Sequence, residues 1–233
     1  MTVTLVLVHS PLVGPSSWEP TARALTRRGC RCRVPAVPAV PGGSIPAWRD
    51  WADAVSDAME PNEAAEPAVL VGHSAAGLLL PAIATRTRAV GLVFVDARIP
   101  PGDGVVAPAE EQFMTFVRAR AGADGLLPPW SRWWGDEVVE GLVPDPVART
   151  RFEADAPRLP VSWFDDVAAV PAWSGLAAGY VQLSPAYAEA AVAARSHGWP
   201  VETVDGTHVS TVAHPEAVAS AILAVLTRLD LPG

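Results

Sequence analysis

Ala68-Val69-Leu70-Val71-Gly72-His73-Ser74-Ala75-Ala76-Gly77 passes from an unbroken apolar run into a cluster of small residues, and a helical pattern follows from Leu78 to Thr87. A short apolar run that ends at a glycine reads as a strand buried on both faces, the kind found in parallel sheets. A serine at the strand-to-helix junction stands on a tight turn with its hydroxyl exposed. The amides of the helix start, that of Ala75 first, would favour negative charge developing beside it. Such a turn needs small neighbours, and Gly72, Ala75, Ala76 and Gly77 supply them.

Working outward, the same alternation repeats. Val3 to Val8 reads as a strand, Ser17 to Arg28 as a helix stopped by Gly29, and Cys30 to Val34 as a second strand. A Pro/Gly-rich loop from Pro35 to Pro46 precedes a helix carrying Trp48, Trp51 and Val55 on one side. Val90 to Val95 is a fourth strand; Gly179 to Leu183 and Val201 to Val204 are later ones, with helices from Tyr187 to Ser196 and Pro215 to Leu229. Strand–helix alternation implies right-handed crossovers, hence an α/β, doubly wound, mostly parallel sheet of about six strands with helices on both faces.

The alternation stops between about Ala97 and Trp173, a stretch dense in Pro and Trp with short helical pieces at Glu110 to Ala121 and Val147 to Ala156. That is too long for a loop in one compact domain. The expected organisation is a core of residues 1–96 and 178–233 with an inserted helical cap over 97–177.

Bulk properties narrow the classes. The chain has 233 residues, half of them apolar, and a net charge of −8; every one of its 17 cationic residues is Arg. A large core is affordable, and a nucleic-acid partner, which needs a basic stripe, is not expected. No apolar run reaches the ~18 residues of a membrane span, and the N-terminus reads as a buried strand rather than a signal peptide. Cys30 and Cys32 are the only cysteines, expected on opposite strand faces as free thiols without further metal ligands nearby. The expectation is a soluble, cytoplasmic protein with a small-molecule substrate and neither cofactor nor metal.

In an open parallel sheet, chemistry collects at the carboxyl ends of the strands. His9-Ser10, Ser74, Asp96 and His208 all fall there. A serine hydroxyl is a weak nucleophile unless a base takes its proton. His208, in Asp205-Gly206-Thr207-His208 past the last strand, is the candidate base. His197 ends a helix and His214 opens one, which places both on the surface, and His73 is expected to point away.

Taken together, Leu7-Val8-His9-Ser10 with Gly14 and Trp18, then Gly72-His73-Ser74, then Gly206-Thr207-His208 make nearly the whole chain resemble the α/β-hydrolase superfamily, in particular its small cap-bearing members. The resemblance implies a Ser–acid–His triad in that chain order. Its usual acid position, after the strand ending Gln182-Leu183-Ser184-Pro185, holds no Asp or Glu. Asp96 is the substitute expected, with Asp165, Asp166 and Asp205 as rivals. The second oxyanion amide of the family falls on Pro11, which has no N–H, leaving Leu12 or the Ser10 hydroxyl. The glycine usual two residues after the nucleophile is Ala76.

The segment over 97–177 carries Trp130, Trp133, Trp134, Trp163 and Trp173. Trp133 and Trp163, with His9, Ser10, Leu12 and Ala75, form the expected substrate and oxyanion set. Arg98 reads either as an anion contact or as the partner of a surface acid. The function implied is hydrolysis of an ester, thioester or lactone of a bulky apolar molecule through a Ser74 acyl-enzyme. The alternatives are a lyase or cyclase that tailors a natural product with His208 as acid–base, and a binder without catalysis.

Overall fold

The computed structural model describes residues 3–37, 46–59 and 66–231, without the side chain of Asp136. Residues 38–45 of the expected Pro/Gly-rich loop lie outside the described residues. Strands β1 (Thr4–Val8), β2 (Arg31–Arg33), β3 (Ala68–His73) and β4 (Ala89–Val95) alternate with helices α1 (Glu19–Arg27), α2 (Trp51–Asp57) and α3 (Leu80–Ala84). Between β4 and the later strands come β5 (Gly104–Val106), α4 (Glu111–Arg118), α5 (Asp136–Leu142), α6 (Pro146–Ala154) and β6 (Ala168–Val170). The chain then returns to the sheet with β7 (Ala177–Gln182), α7 (Ala188–Ser196), β8 (Val201–Thr203), α8 (Ser210–Ala213) and α9 (Pro215–Leu226).

Six strands form one sheet in the order β2-β1-β3-β4-β7-β8, with every pairing parallel. β5 and β6 pair separately as an antiparallel ribbon, a feature too short for the apolar pattern to announce. The chain steps from β1 outward to β2 and then back across β1 to β3, so the winding reverses between β1 and β3. The loops after these two strands open into the crevice where ligands of doubly wound sheets bind.

Side-chain alternation along the strands builds two apolar layers. Val6, Val8, Leu70, Leu92, Phe94 and Tyr180 face one layer, covered by α2, α3 and α7. Leu5, Leu7, Val69, Val71, Val93 and Val181 face the other, covered by α1 and α9. The aromatics between β4 and β7 join the first layer: Trp133, Trp163 and Phe164 share its cluster with Trp48 and Trp51. A smaller cluster, Val13, Val143, Phe152, Val209 and Val212, ties this inserted segment to the loops after β1 and β8.

Two local readings are corrected. The helix expected from Leu78 begins four residues earlier, as a 3-10 helix over Ser74–Leu79 that continues into α3. Cys30 and Cys32 are free but pack against the same layer, because residues two apart on an extended chain share a face.

Candidate functional site

Gly72, the penultimate residue of β3, packs against the side chain of Leu80: a Cβ there would lie 2.8 Å from a Leu80 methyl carbon. Gly77 is tighter, since its added Cβ would meet Ala97 Cβ at 2.7 Å and the Arg98 carbonyl oxygen at 2.8 Å. This close approach lets the chain turn sharply, and Ser74 takes the left-handed conformation with φ 58°. Among the described residues the other non-glycine with positive φ is Asp96, at 43°. Such backbone costs about 1–3 kcal/mol per residue and persists where surrounding bonds over-determine it.

At Asp96 those bonds are visible. Its N–H donates to the Val181 carbonyl at 2.7 Å. The Tyr180 hydroxyl grips the next residue, accepting from Ala97 N–H at 3.1 Å and donating to its carbonyl at 2.8 Å. The carboxylate is wholly buried and leans across to the end of β7. Oδ1 accepts the N–H groups of Leu183 and Ser184, at 2.8 and 3.0 Å. Oδ2 accepts the Ser184 hydroxyl at 2.6 Å and His208 Nδ1–H at 2.7 Å. Burial alone would raise the carboxyl, but the bonds from His208, Ser184 and Leu183 outweigh it and hold it below the usual carboxylate range. Adjacent strands thus let an acid on β4 occupy the end of β7, where Ser184 stands in place of an acid.

The rival acids lie elsewhere. Asp205 is exposed, Asp165 is exposed near Arg118, and Asp166 accepts the Arg49 N–H. His197 and His214 are exposed. Arg98 is paired with Glu110 at 3.2 Å.

His208 sits on a turn locked by a reciprocal pair, Thr207 N–H to Ser210 Oγ and Ser210 N–H to the Thr207 carbonyl, both at 2.9 Å. Gly206 is required beneath it, for a Cβ would fall 2.3 Å from Ser210 Oγ. Because Nδ1–H is given to a carboxylate, neutral His208 carries a bare Nε2, the atom that can accept a proton.

His73 does not point away. It is buried, and its Nε2–H donates to the His208 carbonyl at 2.8 Å. Its ring centroid lies 4.5 Å from that of His208, and Trp18 meets it edge-on at 6.0 Å. Burial, and then the neighbouring His208, push its pKa down to about 3, so it is a neutral strut. Tyr187 also stacks on His208, with centroids 5.0 Å apart and planes 7° from parallel. Burial raises the Tyr187 phenol above its ordinary value. Ser184, His73 and Tyr187 were not read as site residues from the sequence. The absence of an acid at Ser184 was the one available signal.

Ser74 and His208 line one cavity with Ser10, Leu12, Val13, Trp130, Phe152 and Thr211. Its volume is about 10 Å³, room for roughly one water. Ser74 and His208 form no hydrogen bond to each other among the described residues. Pro11 is the corner of a turn closed by Val13 N–H to the Ser10 carbonyl at 3.1 Å. Leu12 N–H is drawn toward Ser10 Oγ at 3.3 Å. Ala75 N–H, in the first turn of the 3-10 helix, has no intrahelical partner.

Three expected contacts are placed differently. His9 is buried behind the loop, where Nδ1–H donates to the Ser10 and Val13 carbonyls at 2.9 and 2.8 Å; it shapes the turn and does not line this cavity. Trp133 and Trp163 pack in the core, their ring N–H groups donated to the carbonyls of Pro128 and Pro46. Trp130 and Phe152 hold the cavity wall in their stead.

Solved structures with the same fold cover almost the whole chain. An extracellular alpha/beta-hydrolase from a Paenibacillus species, described as sharing structural and functional homology with tobacco salicylic acid binding protein 2, superposes with a TM-score of 0.71 at 18% identity, covering 96% of this chain and 98% of that one. A pyrethroid hydrolase from Sphingobium faniae gives a TM-score of 0.64 at 19% identity over 98% of both chains. Tomato methylketone synthase I, in complex with 2-tridecanone, gives 0.64 at 14% identity over 98% of this chain and 99% of that one. No curated protein sequence matches the chain. The sequence model of the alpha/beta hydrolase family matches residues 5–221. With that match spanning the sheet, the Ser74 turn and His208, the chain belongs to the alpha/beta hydrolase family.

Proposed function

We propose that the protein is a serine hydrolase acting on an ester, thioester or lactone of an apolar small molecule. One observation carries this reading: a strained Ser74 turn shares a cavity with His208, whose Nδ1–H is held by buried Asp96. In the first step His208 Nε2 takes the Ser74 proton while Oγ bonds to the carbonyl carbon. Asp96 fixes the tautomer and stabilises the imidazolium. Ala75 N–H and the Ser10 hydroxyl serve as donors to the developing oxyanion in this reading. Collapse returns the proton from His208 to the leaving oxygen or sulfur, and water resolves the acyl-enzyme by the same route.

Apolar walls at Leu12, Val13, Trp130 and Phe152 support an apolar substrate. At about 10 Å³, the cavity admits a larger group only when those walls part, which assigns residues 97–177 the role of a movable cap. The free thiols of Cys30 and Cys32 support a reducing, cytoplasmic setting. No helix among the described residues is long and apolar enough to cross a membrane.

A fluorophosphonate probe tests the reading. Wild type is expected to be labelled at Ser74 and to hydrolyse p-nitrophenyl esters, and Ser74→Ala to do neither. A folded, unlabelled wild type defeats it.

A second reading draws on the oxyanion side, where Pro11 lacks an N–H and Leu12 N–H is engaged by Ser10. Here the protein is a lyase or cyclase acting on a natural product, with His208 as acid–base. Turnover that survives Ser74→Ala and vanishes in a His208→Ala variant selects it.

A further inference from the structure

We propose that Asp155 determines how bulky a molecule reaches Ser74, as the latch that pins one wall of the cavity to the other. The inference rests on the serine-hydrolase reading above and deepens it.

The two walls come from segments far apart in sequence. Ser10, Leu12 and Val13 stand on the loop after β1, and Phe152 stands on α6. Apolar packing brings them together, for Phe152 is buried in one cluster with Val13, Val209 and Val212. Packing of this kind is non-directional and does not by itself fix where a helix sits.

Direction comes from Asp155, the residue that follows α6. Its Oδ2 accepts the Ser16 N–H at 3.0 Å, and its Oδ1 accepts the Ser16 hydroxyl at 2.6 Å. Both oxygens thus engage one buried residue of the β1 loop, 139 positions earlier in the chain. The loop is shaped to receive them. Gly14 carries no side chain where the carboxylate passes: a Cβ there would fall 2.3 Å from Asp155 Cγ. Gly14 has φ −99°, a value open to any residue, so what glycine supplies is space for Asp155. The ion pair between Arg151 and Glu19 at 2.8 Å runs alongside, but it lies largely in solvent and contributes little.

Asp155 does not line the cavity itself. Its effect on Ser74 passes through the positions of Phe152 and the β1 loop, and so falls on access rather than on the chemical step. At about 10 Å³, the cavity takes a compact group through small side-chain shifts. A long chain needs α6 to draw away from the loop, which parts both Asp155 bonds. A reagent that enters only when the walls part reacts in proportion to the parted fraction. Hydrogen bonds to a charged group stabilise the joined state by about tenfold or more each, and water replaces part of that when they break.

The test compares labelling of Ser74 by a methyl and an octyl fluorophosphonate in wild type, Asp155→Ala and Gly14→Ala, with thermal melting to establish folding. In Asp155→Ala the octyl-to-methyl ratio of labelling rates is expected to rise about tenfold, with methyl labelling close to wild type. Gly14→Ala, whose methyl forces the carboxylate off Ser16, is expected to raise the ratio in the same direction. A lesion that merely loosens the fold slows both reagents together. A ratio unchanged or lowered in both variants overturns the latch and leaves the serine reading standing. An unlabelled wild type overturns the serine reading and the latch with it. If Asp155→Ala does not fold, the isosteric Asp155→Asn decides: it keeps an acceptor for the Ser16 N–H but not the charge, and a smaller rise is expected. An unchanged ratio there overturns the latch.

Discussion

Replacing Asp96 with asparagine is expected to reverse the proton on His208, for reasons visible in the bonds that Asp96 makes. Oδ1 accepts two backbone N–H groups, from Leu183 and Ser184, so the asparagine carbonyl oxygen must take that position. Its NH2 then falls where Oδ2 was, facing the Ser184 hydroxyl and His208 Nδ1. The Ser184 hydroxyl can rotate to accept. Nδ1 can accept only by giving up its proton, which moves to Nε2, and a protonated Nε2 cannot take the Ser74 proton. The backbone bonds survive, so the fold should remain with a loss of about 1–3 kcal/mol from the charge-assisted bonds. Activity should fall by roughly 10⁴, the scale set by the same tautomer reversal in serine proteases that use this triad.

The pH dependence of that stability difference has a definite sign. Asp96 is depressed in the folded state, so its contribution is present above the unfolded carboxylate value of about 3.9 and disappears as pH falls through the lower folded value. Wild type and Asp96→Asn should therefore differ in urea unfolding at pH 7 and converge in acid below about pH 4. The catalytic assays are p-nitrophenyl ester hydrolysis and fluorophosphonate labelling at pH 7.5, with ¹⁵N NMR reporting which histidine nitrogen is protonated. A folded Asp96→Asn protein within tenfold of wild-type rate refutes the tautomer argument.

His73→Gln retains a donor for the His208 carbonyl but cannot titrate. His73 is about 3 when folded against an ordinary 6.5, so its stabilisation is full above pH 6.5 and is lost as pH falls toward 3. The wild-type advantage in urea unfolding should narrow by about 2 kcal/mol between pH 7 and pH 5, and parallel curves contradict it. Gly77→Ala drives a methyl against Ala97 Cβ and the Arg98 carbonyl, at 2.7 and 2.8 Å. A cost of about 1–3 kcal/mol in chemical denaturation is expected, and a neutral result would show that the Ser74 turn tolerates more width than its packing implies.

The sequence by itself determined the layered fold and the ends of the strands, because burial on both sheet faces writes long apolar runs that local spacing can register. β1, β3, β4 and α9 lie within a few residues of where their patterns place them. Ser74 and His208 were legible for the same reason: each follows a strand, and strand ends converge at one edge of a parallel sheet. What only the tertiary structure decided is lateral. Asp96 reaches His208 because β4 and β7 are neighbours, separated by more than eighty residues of chain. His73 and Tyr187 pack against the imidazole through folds of the backbone that no periodicity records. His9, Trp133 and Trp163 went the other way: their residue types suggested a site, but their ring N–H groups are spent on backbone carbonyls, those of His9 and Trp133 on local turns and that of Trp163 on Pro46, distant in sequence. Turn geometry and packing, which fix these hydrogen-bond partners, separate the residues that line the cavity from those that support it.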